Sequence, residues 1–120
     1  MKLDKKKLGK YANKILTTQV VLTEERRKHI FENHPNDYKE ILKNIRNGIL
    51  NPHEIIEDIK NVDTLFYISK LEKNNLNIVI KLNTKRDEKH PKNSIMTAWI
   101  IRNKNLEKLR KKNKIIYRKE

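Results

Sequence analysis

The hydrophobic pattern of this chain changes its period near Pro52, and this change constrains the fold more than any other feature. Before Pro52, apolar residues recur at steps of three and four, as they do on one face of a helix: Tyr38, Ile41, Leu42, Ile45 and Ile49. After Pro52, apolar and polar residues alternate, which is typical of strands. The sequence therefore predicts an α+β fold in which N-terminal helices pack on a curved, four- to five-stranded antiparallel sheet.

Caps and breakers predict where these elements begin and end. A first helix begins after Thr23 and ends near Asn33, because Pro35 disfavours helical geometry at the residue before it. A second helix ends near Gly48. Residues 104–112 are predicted to form a basic helical turn or two. The predicted strands are a short one at 19–23, four in succession at 54–58, 63–72, 76–83 and 94–102, and a candidate last strand at 114–119.

The first 18 residues are a basic leader or linker, and residues 19–120 form the single predicted domain. Within the leader, apolar residues recur at helical spacing: Leu8, Tyr11, Ala12 and Ile15. Docking as a short amphipathic helix and a loose tail both remain open.

The chain is strongly basic, with 29 Lys and Arg against 15 Asp and Glu and a net charge of +14. A Lys- and Asn-rich coding bias is the alternative interpretation of this charge. Such a bias alone would raise Glu and Asp too, and here bases outnumber acids by about two to one, which favours a polyanionic partner. The absence of cysteine excludes disulfides, thiolate zinc sites and a cysteine nucleophile. No apolar run is long enough to span a membrane, so we expect a location in the cytoplasm of the producing or target cell.

Strand alternation predicts a polar cleft on one face of the sheet. In residues 76–83 the apolar side chains point one way, which leaves Lys81 on the other face beside Val79. The same alternation puts Lys70 beside Phe66 and Ile68. It also places Thr97 between Ile95 and Trp99, and these polar residues would form the floor of the cleft.

Two histidines suggest proton transfer. His29 and His34 are five residues apart, which does not put them on one helix face, but a turn at Pro35 brings His34 back toward His29. Imidazoles titrate near neutrality and suit acid–base catalysis. RNA carries its own nucleophile, the 2′-hydroxyl, so cleavage requires a base, an acid and cations for the phosphate. Lys81 or Lys70, Arg27 or Arg86, and Thr97 can complete this set, and no metal or other cofactor is required.

Four segments in this order resemble the phage and mobile-element branch of the barnase–EndoU–colicin–RelE-like (BECR) nucleases: VVLTEERRKHIFENHPNDY, NPHEIIED, NSIMTAW and IIYRKE. Members of that branch typically read T-x-x-R-x-x-HI-x-x-RHP, NPD-x-I-x-x-D and NSI-x-T. The resemblance implies an α+β fold and metal-independent RNA cleavage by toxins, often directed at tRNA. It places His29 and His34 at the motif histidines. The chain departs from the pattern at Asn33, where the family has Arg, and at His53, where it has Asp.

Together, the residues and the resemblance predict a metal-independent endoribonuclease, a toxin or phage-encoded effector, that cleaves RNA such as tRNA to a 2′,3′-cyclic phosphate. The predicted catalytic residues are His29, His34, Lys81 and Thr97. The predicted substrate-binding residues are Arg27, Lys70, Arg86, Ser94 and Tyr117, and no metal ligand is predicted. An antitoxin or immunity protein is a further possible partner. Two alternatives remain open, a non-catalytic RNA-binding module and a basic interaction protein with an acidic partner.

Overall fold

The computed structural model describes residues 1–85 and 92–120. Within these residues the chain forms three α-helices: α1 (Glu24–Asn33), α2 (Tyr38–Leu50) and α3 (Asn103–Lys112). It also forms six strands: β1 (Val20–Val21), β2 (Glu54–Glu57), β3 (Thr64–Lys70), β4 (Asn75–Lys81), β5 (Asn93–Ile101) and β6 (Lys114–Arg118). The predicted α+β fold is confirmed. None of the described helices has the length and apolar character needed to cross a bilayer.

The strands form one sheet in the order β1-β5-β4-β3-β2-β6. All neighbours are antiparallel except β1 and β5, which pair in parallel from Val20 opposite Asn93. Asn93 fixes this pairing, because its side-chain amide donates to the carbonyls of Thr17 at 2.8 Å and Gln19 at 2.9 Å. The sheet therefore has one or two more strands than predicted, since the short segments at both edges join it.

The predicted stop of α2 at Gly48 is wrong, because the helix continues to Leu50. Gly48 is buried against the sheet, where a Cβ atom would lie only 2.8 Å from the Cδ1 atom of Ile78. Glycine at this position therefore allows close helix–sheet packing and does not end the helix. The start of α1 is as predicted, since the Thr23 hydroxyl accepts a hydrogen bond from the Arg26 N–H at 3.2 Å.

The two faces of the sheet are covered unequally. The N-terminal segment, α1 and α2 pack on one face and enclose the main core, to which β4 contributes Leu76, Ile78 and Ile80. On the other face, α3 packs through Leu106 onto a smaller cluster that includes Ile56, Phe66, Ile68, Val79 and Ile101. Because α3 covers only part of this second face, the remainder stays open.

Residues 1–18 pack into the main core. They form two short 3-10 helices, Lys5–Lys7 and Gly9–Asn13, and not an amphipathic α-helix. Leu8 is completely buried, and Tyr11 and Ile15 are buried with it. The apolar residues that the sequence spacing singled out are therefore those that face the core.

Candidate active-site cleft

A cleft of about 930 Å³ lies on the open part of the second sheet face. Its floor is largely apolar and is formed by Phe66, Val79, Met96 and Trp99. The loop between β2 and β3 and the N-terminal end of α1 form its walls. A recessed apolar floor with polar groups around it is the usual form of a ligand site.

Strand alternation brings three of the predicted site residues into this cleft: Lys81, Ser94 and Thr97. Lys81 ends β4, is exposed and pairs with Ser94 on β5. The expectation that Ile95 shares a face with Thr97 is wrong, because Ile95 is part of the main core on the opposite face. The register of β4 and β5 shifts here, with Val79 opposite Thr97 and Ile80 opposite Ile95. This bulge turns both Met96 and Thr97 toward the cleft.

The described cleft carries four cationic side chains: Arg26, Lys81, Lys85 and Lys92. Arg26 is half-buried and comes from the first turn of α1, where the helix dipole is also positive. The Lys81 ammonium donates a hydrogen bond to the Val62 carbonyl, which holds it across the end of the cleft. Arg26 comes from the start of α1 and Lys81 from the end of β4, while Lys85 follows β4 and Lys92 directly precedes β5.

Of the carboxylates that line the described cleft, Asp58 and Asp63 hold the loop between β2 and β3, while Glu25 is exposed on the first turn of α1. Asp63 accepts a hydrogen bond from the Thr84 hydroxyl at 2.6 Å, and Asp58 accepts from the backbone N–H groups of Lys60 at 2.9 Å and Asn61 at 3.3 Å. Asp63 adopts a left-handed backbone conformation with φ of 58°, which tightens the turn into β3. Because Asp58 and Asp63 accept bonds from the protein, Glu25 is the remaining carboxylate of the described lining, and the four cationic side chains outnumber it.

The two predicted catalytic histidines lie outside the lining of this cleft, His29 on α1 and His34 directly after it. His29 is exposed and follows Arg26 by one helical turn, so it lies on the same side of α1 as the cleft wall. The side-chain nitrogen of Asn33 lies 3.3 Å from His29 Nδ1 and donates to the His29 carbonyl at 2.8 Å. His34 caps the end of α1, and its backbone N–H donates to the Ile30 carbonyl at 2.9 Å. The structure thus gives His29 an asparagine partner.

Three other predicted substrate-binding residues lie elsewhere. Lys70 lines a separate shallow depression beside α2. Tyr117 packs against the main core, with the Lys7 ammonium 5.5 Å from its ring centre. Arg27 is exposed on α1 and lies 3.8 Å from Glu24. The prediction for Arg86 lies outside the described residues.

Several groups with shifted pKa values support the fold away from the cleft. Burial, together with the hydrogen bond to Glu57, raises the pKa of Tyr11 to about 12. Burial opposes ionisation of Glu57, but hydrogen bonds from Lys10 at 2.8 Å and Tyr11 at 2.9 Å prevail and lower the pKa of its carboxyl group. Burial, and then Lys119 and Lys70, lower the pKa of His53. These contacts tie the N-terminal segment and strand edges to the sheet.

Sequence reasoning gave no site role to Trp99 and preferred Arg27 to Arg26. The signal for Arg26 was present, because Arg26 stands at the arginine position of the T-x-x-R-x-x-HI pattern. Trp99 was predicted to share the face of Thr97, and the structure places both in the cleft. No sequence pattern predicted that the β2–β3 loop would form a wall of the cleft, because the position of this loop depends on its contacts with β4.

Comparison with known protein families gives a match over almost the whole chain. The model of PBECR2, the phage-Barnase-EndoU-ColicinE5/D-RelE like nuclease2 family, matches residues 2–118. The chain belongs to this nuclease family. Because the match begins at residue 2, it includes the buried N-terminal segment of this PBECR2 protein. No curated protein and no solved structure shows significant similarity to the chain.

The described part of this PBECR2 protein brings no three His, Asp or Glu side chains together in a group that could hold a metal ion. Chemistry in the cleft can draw on the lysine and arginine side chains and on the hydroxyls of Ser94 and Thr97. Cations and hydroxyl donors of this kind bind phosphate oxygens. The arrangement is therefore suited to a phosphodiester.

Proposed function

We propose that this nuclease is a metal-independent endoribonuclease that cuts RNA in the cleft on the open sheet face. The observation that carries the proposal is the convergence of Lys81, Ser94 and Thr97 with Arg26 around one recessed floor. RNA supplies the nucleophile, because its 2′-hydroxyl can attack the adjacent phosphorus and expel the 5′-oxygen. The products are a 2′,3′-cyclic phosphate and a 5′-hydroxyl.

Each side chain in the cleft has a proposed role. Lys81 and Arg26 stabilise the negative charge that develops on the phosphate oxygens during attack. Thr97 and Ser94 donate hydrogen bonds to the same oxygens and orient the phosphate. Lys85 and Lys92, which are exposed at the cleft, attract the neighbouring phosphates of the strand.

Proton transfer is assigned to His29 and His34, as the sequence predicted. His29 extends the α1 wall of the cleft by one turn beyond Arg26, so an RNA strand bound at Arg26 can continue toward it. One imidazole removes the 2′-hydroxyl proton and the other protonates the leaving 5′-oxygen. Either histidine can act as the base, with the other as the acid.

We further propose tRNA as the preferred RNA and a toxin or phage-encoded effector as the biological role, in the cytoplasm of the producing or target cell. Family membership and the net charge of +14 support this proposal. For a toxin, we propose an antitoxin or immunity protein as a further partner.

The test is incubation of the purified protein with total tRNA, with and without EDTA, followed by a denaturing gel and analysis of the product ends. We expect discrete fragments in both conditions, with 2′,3′-cyclic phosphate ends. Cleavage that requires added metal, or products with 3′-hydroxyl ends, would contradict the mechanism. Tight binding of RNA without cleavage would favour the alternative of a non-catalytic binding module.

A further inference from the structure

The cleft combines an aromatic floor with a charged wall, and the two parts suit different portions of a nucleotide. Trp99 is the single tryptophan of the chain and lines the floor in a half-buried position. Phe66 and Val79, which also line the floor, have only 8% and 9% of their surface exposed. The cationic side chains reach the cleft from its sides, where a phosphate backbone would pass.

The loop between β2 and β3 adds further apolar surface at the rim. Val62 lines the cleft with 72% of its surface exposed, and Ile59 on the same loop is 66% exposed. Within the described residues, both of these branched apolar side chains are largely uncovered. A flat apolar ligand that enters the cleft would bury Val62, which lines it.

We infer that Trp99 stacks with an unpaired nucleobase, so that the nuclease accepts single-stranded or extruded nucleotides and rejects bases held in a duplex. The floor is recessed below the charged wall, and a base inside an A-form helix cannot leave its stack to reach it. An unpaired base can enter, while its flanking phosphates meet Lys81 and Arg26. This inference rests on the proposed ribonuclease function, because it places the RNA in the same cleft.

The substrate analogue for the test is a short 2′-O-methyl RNA, which lacks the attacking hydroxyl and is therefore bound without being cut. Because Trp99 is the single tryptophan, its fluorescence reports directly on the cleft of the wild-type protein. We expect the unpaired strand to quench this fluorescence to saturation, and the same strand in a duplex to quench it much less. Equal quenching by both would overturn the inference.

A second comparison separates stacking from charge. Labelled base-bearing and abasic strands of equal length carry the same phosphates, and their binding is measured by fluorescence anisotropy. Stacking of one base on an aromatic side chain contributes about 1–3 kcal/mol to binding. We therefore expect Trp99→Leu to lower the affinity for base-bearing RNA by about 5- to 150-fold and to leave the affinity for abasic RNA unchanged. Trp99→Phe should retain most of the affinity. Phe31→Leu is the matched control, because Phe31 is half-exposed on α1 outside the cleft.

The outcomes distinguish this inference from the proposed function. Equal binding of abasic and base-bearing strands by the wild-type protein would overturn stacking, even if tRNA is cleaved, and it requires no folded variant. Stacking at Trp99 without any cleavage of natural RNA would leave the inference standing and contradict the proposed catalysis. Circular dichroism of Trp99→Leu and Trp99→Phe confirms that the affinities refer to folded protein.

Discussion

Among single residues, His29 has a defined neighbour. The side-chain nitrogen of Asn33 lies 3.3 Å from His29 Nδ1 and donates to the His29 carbonyl at 2.8 Å. The asparagine that replaces the arginine of the family pattern therefore contacts the imidazole, and Arg26 supplies a positive charge one turn earlier on α1.

The histidine assignment leads to a direct prediction. We expect His29→Ala and His34→Ala each to lower RNA cleavage by about 10²–10⁴-fold, because each removes one positioned proton-transfer group. The melting temperature should change little for His29→Ala, since that side chain is exposed. Cleavage rates on one RNA, with circular dichroism as the folding control, measure both. If each folded variant keeps wild-type activity, the proton-transfer groups lie elsewhere.

Which face a residue occupies was predictable for Lys81 and not for Met96. Regular alternation along β4 places Lys81 opposite to Ile80 and Leu82, as the sequence indicated. The bulge in β5 breaks that alternation and adds Met96 to the same face as Thr97. A bulge arises from pairing with a neighbouring strand, so the sequence of β5 alone did not reveal it.

Among the elements, the N-terminal segment is held to the sheet by a specific polar contact. The Tyr11 hydroxyl donates to the Glu57 carboxylate at 2.9 Å, and the Lys10 ammonium binds the same oxygen at 2.8 Å. Burial, followed by this hydrogen bond, raises the pKa of Tyr11 from 10.0 to about 12. A pKa that is higher in the folded state gives a stability contribution that is complete below the unfolded value and is lost as the pH rises through the folded one.

This contact predicts a pH-dependent difference between wild type and Tyr11→Phe. We expect the variant to be less stable by about 1–3 kcal/mol near neutral pH, because it lacks the hydrogen bond to a carboxylate. The gap should narrow between pH 10.0 and about 12, because in this range the unfolded wild type loses its phenolic proton while the folded protein retains it. Urea unfolding of both proteins at a series of pH values measures this difference in the free energy of unfolding. A gap that stays constant across that window would show that the hydroxyl contributes no such linkage.

The order and type of most elements followed from local signals, but their packing did not. The Thr23 cap and Pro35 were sufficient to predict the bounds of α1. The period of the hydrophobic pattern was sufficient to predict the succession of strands β2 to β5. The continuation of α2 through Gly48 depends on the close approach of Ile78, which lies 30 residues later in the sequence. The parallel pairing of β1 depends on the Asn93 side chain. Both are tertiary contacts that outweigh local propensity.

Across the whole molecule, the sheet lies between the main hydrophobic core and the candidate active-site cleft. The first face carries the main core, while the open part of the second face presents the cleft. Lys70 and Lys81 each end a strand and are both exposed, and strand alternation alone predicts similar positions for them. The fold places Lys81 in the cleft and Lys70 beside α2. This difference in position could not be predicted without the arrangement of α2 and the β2–β3 loop.

These two lysines provide the most direct test that catalysis occurs in the cleft. Lys81→Ala and Lys70→Ala each remove one exposed positive charge from a strand end, and neither should change the melting temperature appreciably. Removing a group that stabilises transition-state charge typically lowers the rate by about 10²–10³-fold. We therefore expect that loss for Lys81→Ala in single-turnover cleavage of one RNA, and a rate close to wild type for Lys70→Ala. Equal losses in both variants, or full activity in folded Lys81→Ala, would contradict a catalytic site in this cleft.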